Sequence, residues 1–74
     1  MSTETIPAPP AIEHVTEVWE LRPGMEIETG VNGVRQFAGQ VVDTHPAMGL
    51  FWAVSPVGER RLVELDEYEV YRIE

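Results

Sequence analysis

Seventy-four residues allow a single small domain, and the absence of cysteine leaves it neither a disulfide framework nor a thiolate metal site as a staple. Thirteen acids against five bases give a formal charge of −8, the opposite sign to a phosphate-neutralising surface, so direct nucleic-acid binding is disfavoured. No stretch approaches the roughly 20 apolar residues of a membrane span and no basic-plus-apolar leader opens the chain, so the expectation is a soluble, cytoplasmic protein without a membrane partner.

The five bases are all arginine, and with abundant Ala, Gly, Pro and Val they suggest a GC-rich bacterial or phage coding sequence. Residues 1–10, MSTETIPAPP, carry three prolines and no periodicity and read as a disordered lead-in. Residues 11–21, AIEHVTEVWEL, satisfy two patterns. Ile12, Val15, Val18 and Trp19 fit a helical stripe, whereas Val15, Trp19 and Leu21 fit a strand, which the β-branched residues and the approach to Pro23 favour near Trp19. This segment is expected to pack on the domain that follows.

From Arg22 the pattern is plainer. Pro23-Gly24 marks a turn, Met25-Glu26-Ile27-Glu28-Thr29 alternates as a strand, and Asn32-Gly33 is the residue pair that most readily accepts positive φ in a tight hairpin. Residues 34–44 form a long strand in which Gly39 suggests a bend or bulge. HPAM connects to an aromatic strand over 48–54, SPVGE turns, and 60–65 returns as a strand. A tight turn at Asp66-Glu67-Tyr68 leads into the closing strand EVYRI. Five short strands with tight connections predict an all-β fold, a small closed or nearly closed antiparallel barrel over 22–74, since closure removes exposed sheet edges.

The order of these segments resembles the SH3-like small-barrel superfamily, in the broad sense that includes Tudor, KOW and bacterial SH3-like modules. The resemblance is carried by RPGMEIE as an opening strand after a turn, AGQVVD as the second strand with Val41 inside, FWAV with RRLVEL as the next hairpin, and LDEYEVYRI as strand, one-turn link and final strand. It implies a five-stranded antiparallel SH3-like barrel and leaves function open, because these barrels host peptide binders, nucleic-acid binders, ribosome-associated modules and structural parts. The proline-peptide site of the SH3 domains is not reproduced: the loop GVNG is short and not acidic, and the turn Asp66-Glu67-Tyr68 has no proline. Nor are the aromatics grouped on loops as in a methyl-reading Tudor cage.

Phe51 and Trp52 are adjacent on one strand, so they point to opposite faces. Met48, Leu50, Trp52 and Val54 form the larger apolar stripe and are expected inside, against Ile27, Val41, Val63, Leu65, Tyr68 and Val70. Phe51 is then expected outside, in a partner-binding patch with Val42 and Leu62, covered by Trp19 of the N-terminal segment with Val15 or Val18, by a second copy of the chain or by another protein, or else left exposed. Should a bulge at Gly39 shift the register, Phe51 turns inward and Trp52 takes its place.

Arg60 and Arg61 diverge on a strand and form no phosphate clamp; one of them is expected to pair with Glu64 or with an acid across the hairpin. His14 with Glu13 and Glu17 makes a poor metal site, and His45 reads as a loop histidine. The acidic surface is expected at Glu26, Glu28, Asp66 and Glu67, solvated rather than buried. With no nucleophile–base pair, no phosphate loop and no cofactor or metal site, the expected function is non-catalytic: a protein-interaction or assembly module. Two other readings are an acidic decoy that occupies the groove of a nucleic-acid-binding protein and a structural subunit of a larger particle.

Overall fold

The structure, a computed structural model, describes residues 12–73. It is all-β: strands β1 (Ile12–Val15), β2 (Glu26–Val31), β3 (Val34–His45), β4 (Leu50–Val54), β5 (Arg60–Glu64) and β6 (Glu69–Ile73), with 3₁₀ turns at Val18–Glu20 and Pro46–Met48. All pairings are antiparallel, in one sheet of order β1-β6-β2-β3-β4-β5. The expected count of five rises to six because Ile12–Val15 is itself a strand, running beside β6. The sheet does not close: among the described residues β1 and β5 are its two edges. The proposed lead-in 1–10 lies outside the described residues.

The turns sit where their residues demand. Asn32 (φ 53°) and Gly33 (φ 78°) both adopt the left-handed conformation required by a two-residue hairpin, and Val31 pairs with Val34 around them. The SPVGE hairpin is closed by the Ser55 N–H donating to the Glu59 carbonyl at 2.8 Å, and by the Glu59 N–H donating to Ser55 Oγ at 3.0 Å. In the link before β6, Glu67 N–H and Tyr68 N–H both donate to the Glu64 carbonyl, at 3.1 and 3.0 Å.

The long strand β3 carries the curvature. Its first half pairs with β2 and its second half with β4. At Gly39 a side chain is excluded by the neighbouring strand, since a Cβ there would lie 2.3 Å from the Val54 carbonyl oxygen. Gly39 itself is in regular register with Ile27; the irregularities flank it, at Thr29/Gly30 opposite Gln36 and at Val42. The expected bulge at Gly39 is thus a close approach, with true register shifts on both sides.

The core comprises Val15, Val18, Leu21, Ile27, Phe37, Val41, Phe51, Ala53, Val63 and Val70. Three of these, Val15, Val18 and Leu21, come from the N-terminal segment, and Trp19 is not among them. The turn at Val18–Glu20 is fastened by the Glu20 carboxylate, which accepts from Thr16 N–H, Thr16 Oγ1 and Glu17 N–H at 3.3, 3.2 and 3.0 Å. That clasp turns Val18 inward and leaves Trp19 70% exposed.

Candidate functional site

Phe51 is inside, fully buried, and Trp52 is on the outer face, half-buried. This corrects the expected placement. The inner stripe of β4 is Phe51 and Ala53; Leu50, Trp52 and Val54 form the outer one, and Met48 lies in the preceding turn, 71% exposed. Stripe volume misleads because the curled sheet leaves little room at its tightest point. Ala53 pairs with the buried Val41 one residue before Val54 closes on Gly39, and the remaining interior is filled by Val15, Val18 and Leu21.

The bulge at Val42 decides what surrounds Trp52. With strict alternation after the inward Val41, Asp43 would face Phe51 in the core. The register shift absorbs Val42, so that Asp43 pairs with Trp52 on the outer face and Thr44 pairs with Phe51. A carboxylate is thereby kept out of the interior, where burial without a partner is strongly disfavoured. It lies instead 3.3 Å from His45 Nε2 and accepts the Thr44 N–H at 3.1 Å.

On the other side Trp52 pairs directly with Leu62 of β5. The Arg60 guanidinium lies over the indole, 5.5 Å from the ring centroid, a cation–π contact of about 0.5–1 kcal/mol at an exposed site. Of the expected patch residues, Leu62 (39% exposed) pairs with Trp52 and not with Phe51, and the exposed Val42 sits at the bulge, where Asp43 takes the place opposite Trp52. Trp19 is not brought to them: it belongs to the turn covering the inner face. Adjoining the patch through Val54 is a groove of about 360 Å³ lined by Glu26, Ala38, Gln40, Val54, Pro56 and Ile73 among others.

The acids are spread over two places. Glu26 borders that groove, and Glu28, next but one on β2, holds Arg35 at 2.6 Å. Asp66 and Glu67 lie in the turn before β6, close to the tip of the β2–β3 hairpin. Arg61 turns inward, 5.4 Å from the Phe37 ring centroid and 3.6 Å from Glu59, so the expected divergence from Arg60 is present and Glu64 is not the partner. His14 lies against Tyr71 with ring centroids 5.2 Å apart, and Glu13 pairs with Arg72.

Arg60 over Trp52 was missed by the sequence reading, yet its signal was present. A three-residue hairpin loop closed by Ser55 and Glu59 fixes the pairs Val54–Arg60 and Trp52–Leu62 by counting outward. No protein-family model, no curated protein and no solved structure matches this chain.

Proposed function

We propose that this chain is a non-catalytic protein-interaction module whose contact surface is the outer-face patch of Trp52, Leu62 and Val42, with Arg60 and Asp43 at its sides. One observation carries the reading: the chain places its larger aromatic, Trp52, on the outer face beside the exposed Leu62 and under Arg60, while alanine and glycine occupy the tightest part of the interior. Tryptophan and arginine are the residues most often found at the energetic centres of protein interfaces. The net charge of −8 would steer a basic partner and repel nucleic acid.

The SH3-like barrel belongs to the same proposal. Its support is that the meander β2–β5 returns through a one-turn link so that β6 pairs with β2, the first strand of the region that carries the resemblance. A cytoplasmic setting is proposed with it; no helix among the described residues is long and apolar enough to cross a membrane.

The acidic-decoy reading is tested in the same experiment. A partner captured from native extract should be lost with Trp52→Ala and retained with Glu26→Lys or Asp66→Lys, with binding little changed by salt. The decoy requires the reverse: loss with either lysine variant, retention with Trp52→Ala, and affinity that falls steeply with salt. Phe51→Ala is unsuitable here, because it would report on folding rather than contact.

A further inference from the structure

Among the described residues the outer edge of β5 is unpaired, whereas β2, β3, β4 and β6 are each paired on both sides. The phase of its ladder can be read from its two ends. Glu59 accepts from Ser55 N–H at 2.8 Å, and Leu65 N–H donates to the Gly49 carbonyl at 3.1 Å, with unbroken register between. Backbone groups alternate direction along a strand, so residues 61 and 63 turn theirs to β4, while Arg60, Leu62 and Glu64 turn theirs to the free edge.

The same three residues point their side chains outward, as the outer-face Trp52 opposite Leu62 requires. Edge strands are commonly protected by bulges, proline, charged side chains or cover from another element. Strand β5 has no bulge against β4 and no proline, and the charges on its edge-facing residues, Arg60 at one end and Glu64 at the other, are of opposite sign, so they repel most neighbours yet complement an antiparallel copy of the same strand.

We infer that β5 pairs with β5 of a second copy of this chain, antiparallel about a two-fold axis through Leu62. In that register Leu62 meets its own counterpart, and Arg60 of each chain meets Glu64 of the other. All three are edge-facing residues, so every one of these pairs can exchange both backbone hydrogen bonds. The charges match at both ends of the strand, and on the inner face Arg61 meets Val63 rather than another arginine. A register centred on Arg61 would set arginine against arginine and is disfavoured. The pairing also joins the outer faces: the row Trp52–Leu62 continues into Leu62 and Trp52 of the second chain, doubling the apolar patch. The inference goes beyond the proposed partner-binding role and does not depend on it, because Trp52→Ala removes the patch while leaving the edge amides in place.

Charge exchange tests it. Sedimentation of the full chain at about 0.15 M salt, where charges more than about 8 Å apart are largely screened, should show a concentration-dependent dimer. Arg60→Glu and Glu64→Arg, each alone, put like charges at both ends of the interface and should weaken the dimer by about tenfold or more. An equimolar mixture of the two variants should recover it as a heterodimer, since the carboxylate at position 60 of one chain then faces the guanidinium at position 64 of the other. In the wild type, amide exchange at Arg60, Leu62 and Glu64 should slow as concentration rises while that of His14 on the opposite edge does not. A wild-type chain that stays monomeric to about 1 mM, a mixture no more dimeric than its components, or growth without limit to larger species through β1 against β5 would each overturn the inference.

Discussion

The two faces of β4 carry one aromatic each, and the same two-residue pleat gives the rings opposite duties. Phe51 is fully enclosed by the N-terminal cover and the curled sheet; Trp52, its immediate neighbour, keeps part of its indole in water between Leu62 and Arg60. The larger ring is the one left outside. Interior volume, set by the bend at Gly39 and by Ala53, selects the smaller aromatic for the core, and the outer ring is available for contact. Phe51→Ala breaks this contrast most severely. It should cost about 3–5 kcal/mol, comparable with the whole stability of a domain this small, so denaturation followed by circular dichroism should find little folded protein at 25 °C.

A methyl group at the bend is the next largest effect. In Gly39→Ala the new carbon would fall 2.3 Å from the Val54 carbonyl oxygen and 3.0 Å from Phe37 Cε2, and the first of these is backbone that cannot swing aside. The two strands must part, at a cost of about 1–3 kcal/mol, read as a lowered midpoint in urea with the slope unchanged. A variant as stable as the wild type would show that the interior is less tight there and would remove the reason for Phe51 rather than Trp52 being inside.

How much of this was legible follows from which signals are local. The hairpin at Asn32-Gly33, the closure at SPVGE, the link at Asp66–Tyr68 and the final strand all answer to the chemistry of a few adjacent residues, and each lies where the sequence puts it. The face of β4 does not. Leu50, Trp52 and Val54 outweigh Phe51 and Ala53 as an apolar stripe, and only the long-range approach of Val54 to Gly39 decides against them. The bulge at Val42 is equally silent in the sequence, its purpose visible only once Asp43 is seen paired with Trp52. The N-terminal segment is an intermediate case. Its apolar residues do cover the core, but a three-residue turn clasped by Glu20 sends Val18 inward and Trp19 outward, which neither the helical nor the extended stripe contained.

Trp52→Ala should cost stability far less than Phe51→Ala, by about 1 kcal/mol, since it gives up a partly exposed ring and a cation–π contact and opens no cavity. Its main effect is expected on partner capture. A loss of several kcal/mol would mean that the indole is a structural element and would count against the outer patch as a contact surface.

The smallest effect is expected at the other tryptophan. Trp19 is 70% exposed on a turn whose hold on the sheet comes from Val18 and Leu21, so Trp19→Ala should change stability by no more than about 0.5 kcal/mol. Tryptophan fluorescence separates the two rings directly, because the chain has only these two. With Trp52→Phe, the remaining emission from Trp19 should be red-shifted and readily quenched by acrylamide; with Trp19→Phe, the emission from Trp52 should be bluer and less accessible. Addition of the true partner should then quench or shift Trp52 and leave Trp19 unmoved. If Trp19 alone responds, recognition runs through the N-terminal turn, and the outer face of β4 is a bystander.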